Sequence, residues 1–152
     1  TAIGRRVKVT YYGIEKYPVD AAMVEKLNYA DLLPQDSDPA ALFTAIHQAS
    51  WNKTVRLHPF FSLHKIIADL TNYQPGFKYN LIFFDAFAPD KQPEMWTQEI
   101  FNRLYKNLSP EGILTTYCVK GTVRRLLKTA GFHVEKLPGP PGKREMLRGI
   151  KK

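Results

Sequence analysis

The chain has 152 residues, with 22 Lys and Arg against 14 Asp and Glu, a formal charge of +8 and a hydrophobic fraction of 44%. That length and composition suit one compact domain, 1–152, and argue against a repeat or low-complexity protein. No apolar run approaches the roughly 18 residues of a membrane span, TAIGRRVKV lacks the apolar stretch of a signal peptide, and the single Cys118 excludes an internal disulfide or a Cys-rich metal site, so a cytoplasmic setting is the expectation.

The charge is unevenly placed. Through Cys118 the chain carries 12 basic and 12 acidic residues, whereas Val119 to Lys152 carries 10 Lys or Arg against Glu135 and Glu145 alone. Concentrated positive charge favours a polyanion such as nucleic acid through counterion release. A solvated basic face explains it equally well at this level.

In chain order, Arg6 to Ile14 (RVKVTYYGI) is β-branched and aromatic and predicts a strand. Asp20 to Leu33 has apolar residues at near-helical spacing. Asp38-Pro39 is a helix start, with Leu42, Phe43, Ile46 and Ala49 on one face behind it. Thr54 to Phe61 reads as a strand and Ser62 to Leu70 as a short helix. The continuous apolar run Tyr79 to Phe84 predicts a strand covered on both faces.

Glu94 to Leu108 predicts a helix, Ser109 to Gly112 a turn, and Ile113 to Cys118 another strand. Thr122 to Ala130 reads as a helix stopped by Gly131. Phe132 to Leu137 and Met146 to Ile150 flank PGPPG and predict an antiparallel hairpin at a sheet edge. The alternation predicts an α/β fold with a mostly parallel sheet.

In such sheets ligands bind outside the carboxyl ends of the strands. Glu15 stands at one such end, where a carboxylate can take two hydrogen bonds from a ribose diol; by spacing alone, a solvated pair with Lys16 is the simpler account. Asp85 follows YNLIFF. A carboxylate there is costly to bury without a partner, so a functional or a capping role is expected. Phe87, Pro89, Lys91, Pro93, Met95 and Trp96 place an aromatic loop beside it, able to stack on a base or simply to pack onto the sheet. Tyr117 to Gly121 leads into a helix carrying Arg124 and Arg125, a setting that suits phosphate. His47, His58, His64 and His133 lack metal-ligand spacing, and no nucleophile motif, Walker loop or GxGxxG is present.

DAFAPDKQPEMWT, Asp85 to Thr97, resembles the loop of the MnmC-like methyltransferase family. IEKYP (Ile14 to Pro18), VRRLLKTAGF (Val123 to Phe132) and GKREML (Gly142 to Leu147) resemble further family segments in the same order, covering the chain from about Arg6 to its end. The resemblance implies a Rossmann-like class I methyltransferase using S-adenosyl-L-methionine. Its substrate would be the 5-aminomethyl group of the wobble 2-thiouridine of tRNA, with a flavin-dependent oxidoreductase, fused or separate, supplying that amine.

By the same resemblance, Glu15 holds the cofactor ribose, Lys16 and Tyr17 lie near the adenine, and Asp85 and Ala86 sit beside the methyl donor. Asp85 is the expected catalytic carboxylate, orienting the acceptor amine and taking its proton. Phe87, Pro89, Met95 and Trp96 would meet the base, and Lys91, Lys120, Arg124, Lys143 and Arg144 the tRNA phosphates. The family's first strand and glycine-rich loop have no counterpart here, so they are expected ahead of Thr1, with TAIGRR ending the helix after them. No acid follows the strand read into His58 to Lys65, which leaves the adenine contact unassigned. An aminopropyltransferase of the spermidine synthase type and a non-catalytic RNA-binding module are the alternatives.

Overall fold

The computed structural model describes residues 7–33 and 38–152; Arg6 and the TAIGRR segment lie outside them. The chain divides into two compact units, Thr1–Tyr73 and Gln74–Lys152, each with its own mixed sheet.

In the first unit the strand order is β1 (Val9–Glu15), β3 (Phe61–Ile67), β2 (Thr54–His58). β1 and β3 run parallel, in register from Val9 with Phe61 to Glu15 with Ile67, and β2 pairs antiparallel with β3. The helix expected over Ser62 to Leu70 is therefore β3, the central strand. Leu63 and Ile66 are both buried, and their three-residue spacing imitates a helix, but it arises because this strand is covered on both faces. The strand expected over Thr54 to Phe61 is broken at Pro59-Phe60, where β2 turns into β3.

The helix expected over Asp20 to Leu33 is two short pieces, α1 (Ala21–Val24) and a 3₁₀ turn (Tyr29–Leu32). Asp20 caps the first by accepting from the Met23 N–H at 2.7 Å. Met23, Leu27, Leu32 and Leu33 are all exposed, so no shared buried face extends the helix. α2 (Pro39–Gln48) starts as expected, with Asp38 accepting from the Ala41 N–H at 2.9 Å and Pro39 in the first turn. Phe43 and Ile46 are half-buried and Ala49 is buried, but Leu42 faces outward. At the other end of α2, Lys65 Nζ donates to the Ile46 and His47 carbonyls at 3.0 and 2.7 Å and lies 4.7 Å over the Trp51 ring. Those are the orphan carbonyls of a helix end, where a cation is favoured.

The second unit has the order β4 (Tyr79–Phe83), β5 (Leu108–Thr116), β7 (Glu145–Ile150), β6 (His133–Pro138). β4 and β5 are parallel; β5–β7 and the edge hairpin β6–β7 are antiparallel, the hairpin as expected. α3 (Gln98–Asn107) and α4 (Gly121–Thr129) bury Ile100, Phe101, Leu104, Val123 and Leu127. These join Phe84, Leu114, Leu147 and Phe132 in the core. β4 is covered on one face only within this unit: Phe84 packs at 5.3 Å on Phe101, while Leu81 and Phe83 are exposed, so the two-sided burial expected for this run is not found.

Two local features are set by backbone conformation. Past α4, Gly131 takes φ +107°, its N–H donates to the Lys128 carbonyl, and the Phe132 N–H reaches the Leu127 carbonyl, the paired bonds of a Schellman stop. The turn expected at Ser109 to Gly112 is an irregularity inside β5, with Glu111 at φ 59° and the β4 register jumping between Tyr79 and Leu81. No helix among the described residues is long and apolar enough to cross a membrane.

Truncating Phe101, which is fully buried, with Phe101→Ala should cost about 3–5 kcal/mol. Gly149→Ala would put a Cβ 2.9 Å from the Phe132 ring and should cost about 1–3 kcal/mol. Urea unfolding of each variant measures both.

Candidate active site

The functional candidates fall at the carboxyl ends of the two parallel strand pairs. In the first unit the Glu15 carboxylate, exposed at the end of β1, accepts the Tyr17 N–H at 2.8 Å on Oε1. This turns the chain sharply after the strand and leaves the rest of the carboxylate open to a donor. Tyr17 is exposed, with Lys16 Nζ 5.2 Å from its ring centre.

Lys16 also bonds Asp69 Oδ2 at 2.8 Å. Asp69 lies two residues past the end of β3, beside Glu15 because Glu15 and Ile67 are register partners. Its Oδ1 accepts both the N–H and the hydroxyl of Thr71, at 2.9 and 2.7 Å. The hydrogen bond from Lys16, then those from Thr71, hold this carboxyl far below the usual range; the same pairing raises Lys16. Asp69 is an acid that the sequence pattern left unassigned. No acid stands directly after His58–Lys65, but the strand parallel to β1 runs on to Ile67. The signal was the run Lys65-Ile66-Ile67-Ala68-Asp69, an apolar strand end closed by an acid, as in the run before Asp85.

In the second unit Asp85 follows β4 and is exposed rather than buried. It borders a cleft of about 90 Å³ at the carboxyl ends of β4 and β5, together with Phe84, Thr116, Tyr117 and Met146. Thr116, itself buried, accepts the Cys118 N–H on Oγ1 at 3.3 Å and bends the chain out of β5.

The loop after Asp85 is held from inside. Trp96 is buried, edge-on to Phe84 at 5.1 Å, and its indole N–H donates to the Phe87 carbonyl at 2.8 Å. Gln92 Oε1 accepts the Phe87 N–H at 3.2 Å, and the Ala88 carbonyl takes the Lys91 and Gln92 N–H groups. Trp96 is thus the anchor of the loop, not a face for a base. Phe87 is 77% exposed and offers such a face; Pro89 and Met95 are half-buried, Ala86 likewise, and Lys91 is exposed.

Of the expected phosphate contacts, Lys120 is engaged: it pairs with Asp90 of the loop at 2.7 Å, which lowers Asp90 and raises Lys120. Arg124, Lys143 and Arg144 are exposed. The histidines have local partners. His64 Nδ1 shares a hydrogen bond with Thr54 Oγ1 at 2.9 Å and stacks on Tyr12, and His47 packs on Phe43.

Residues 36–152 match the family described as S-adenosyl-L-methionine-dependent methyltransferase. The chain belongs to that family. It is 32% identical over 146 residues to the tRNA 5-methylaminomethyl-2-thiouridine biosynthesis bifunctional protein MnmC of Pseudomonas fluorescens (strain Pf0-1), covering 93% of this chain and 22% of that protein. Against the MnmC of Dichelobacter nodosus it is 38% identical over 106 residues, 68% of this chain and 17% of that protein. The chain therefore spans about a fifth of the length of these relatives. In fold it matches the crystal structure of MNMC2 from Aquifex aeolicus, with a TM-score of 0.69 at 22% identity over 93% of this chain and 43% of that one. The family match confirms the expected Rossmann-like methyltransferase class and S-adenosyl-L-methionine as its cofactor, and favours neither the aminopropyltransferase nor the binding-only alternative.

Trp96→Phe shrinks the buried indole to a phenyl ring and deletes the N–H donor, leaving the Phe87 carbonyl without its indole partner. The lost hydrogen bond and the lost core volume together should cost about 2–3 kcal/mol and speed amide hydrogen exchange across Phe87–Gln92.

Proposed function

We propose that this chain is the transferase part of an enzyme that methylates the 5-aminomethyl group of wobble 2-thiouridine in tRNA, in the cytoplasm. The observation that carries this reading is the rigid loop Asp85–Trp96, which presents a carboxylate and an exposed Phe87 beside a cleft. The MnmC relatives support the choice of substrate by what their names say of them. We read both units as one methyltransferase domain, since the family match spans residues of each.

The acceptors of the first unit fit an adenosyl group. Glu15 has acceptor capacity left for ribose hydroxyls, and Asp69 stands on the neighbouring strand end, where an acceptor suits an adenine amino group. Lys16 holds Asp69 in place and Tyr17 offers an aromatic face. S-adenosyl-L-methionine supplies an electrophilic methyl group on a sulfonium sulfur. The protein's task is then alignment and proton handling. The acceptor amine must be unprotonated when it attacks, and Asp85, solvent-connected at the mouth of the cleft, takes that proton and orients the lone pair. Ala86, small and next in sequence, leaves room beside it. Phe87, with Pro89 and Met95 of the same loop, meets the uracil ring. Lys91, Arg124, Lys143 and Arg144 face the phosphates. The oxidoreductase that supplies the amine is a flavin-dependent activity, fused or separate.

In the full-length protein, Asp85→Asn should lower kcat for tRNA methylation about 10²–10⁴-fold while cofactor affinity stays within a factor of two or so; near-normal turnover overturns the assignment. Asp69→Asn and Lys16→Met should instead weaken cofactor binding about tenfold, the effect of one lost hydrogen bond of about 1.4 kcal/mol, read by calorimetric titration. Unchanged affinity would remove them from the adenosine site.

A further inference from the structure

Between Val119 and Lys152 lie ten basic side chains, and the structure sorts the nine that precede Lys152. Lys136 pairs with Glu145 at 2.8 Å, and Arg148 Nε with Glu135 at 2.9 Å, which uses both acids of the segment. Lys120 pairs with Asp90. Lys151 Nζ donates to the Tyr105 and Leu108 carbonyls at 2.7 and 2.9 Å, closing the end of α3, and burial pushes it below its ordinary value. These four serve the fold.

Arg124, Arg125 and Lys128 are different. All three are exposed on α4, and the helix has no acidic residue. Val123 and Leu127 point into the core, and at 100° per residue the three cations make one band on the outward side. Among the described residues none of them forms an ion pair. Like charges at i and i+4 destabilise a helix by a few tenths of a kcal/mol, and no acid within the unit offsets that. Lys143 and Arg144 are likewise exposed, in the turn before β7, and among the described residues neither forms a close ion pair, although the charge of Arg144 is felt by Glu145. The band carries charge without the aromatic or aliphatic anchors that concentrate binding energy in protein interfaces, and it lies on the unit that carries the Asp85 loop. Its complement is a regular polyanion.

We propose that the outward face of α4, through Arg124, Arg125 and Lys128, holds the phosphate backbone of the RNA substrate, with the Lys143-Arg144 turn as a second contact and Lys120 outside the contact set. The inference rests on the reading of tRNA as substrate and places it on the surface.

The test is the salt dependence of tRNA binding to the full-length protein, by fluorescence anisotropy. Each lost phosphate contact removes about 0.7–0.9 from the slope of log K against log salt. R124Q/R125Q/K128Q should therefore flatten the slope by about 2–3 and weaken binding at 50 mM salt about 10²-fold or more. K143Q/R144Q should flatten it by about 1–2, and K120Q or K136Q should leave it unchanged. Circular dichroism and cofactor affinity of the triple variant serve as folding controls; α4 loses no buried residue. An unchanged slope in a folded triple variant overturns the surface. Equal loss of binding to phosphatidylserine vesicles and to tRNA also overturns it, in favour of an unspecific anion face. Failure of the unaltered protein to bind tRNA would overturn both readings. Binding with the expected slopes but without methylation would retain the surface and sink only the enzymatic one.

Discussion

The hydrogen bond from the Trp96 indole to the Phe87 carbonyl is the constraint on which the second unit's candidate site depends. An indole buried between Phe84 and Phe101 must either find a partner for its N–H or pay for leaving it dry. Here the partner is a backbone carbonyl nine residues earlier. The core residue therefore reaches out and fixes the loop, and with it the direction in which Asp85 and Phe87 are offered to solvent. Gln92 and the Ala88 carbonyl tighten the same segment from within. The result is a short aromatic loop that is ordered by the hydrophobic core rather than by its own composition.

The same logic of strand ends recurs in both units. Parallel neighbours bring their carboxyl ends side by side, so residues distant in sequence become adjacent: Glu15 with Asp69 through the β1–β3 register, and Asp85 with Tyr117 through β4–β5. The acids at these ends are not stabilised alike. Asp69 is locked by Lys16 and Thr71, which keeps it ionised and oriented, whereas Asp85 stands open at the cleft.

Lysine has two roles in this molecule that a charge count cannot separate. Lys65 and Lys151 each place an ammonium among the orphan carbonyls of a helix end, beneath or beside an aromatic ring, where desolvation lowers them from their ordinary value. They belong to the scaffold. The arginines and lysine of α4 have no such duties, and their charge faces outward.

Much was legible in the sequence. The one-sided apolar spacing of Glu94 to Leu108 pointed to α3, though that helix starts only at Gln98; Gly131 marked the stop of α4 through its left-handed φ, Asp38-Pro39 marked the start of α2, and the run YNLIFF ending in Asp85 marked the strand end of the candidate site. The loop motif led to the family. These are local signals, each set by propensity, capping or periodicity within a few residues. The tertiary structure alone decided the rest. Leu63 and Ile66 had helical spacing, and only pairing with β1 and β2 on either side made them a central strand. Asp69 lies near Glu15 because register, not sequence distance, sets their strand ends side by side. Trp96 became an anchor rather than a contact surface because burial depends on what packs around a residue. Which cations are free depends on which acids and carbonyls lie within reach, a property of the fold and not of the composition.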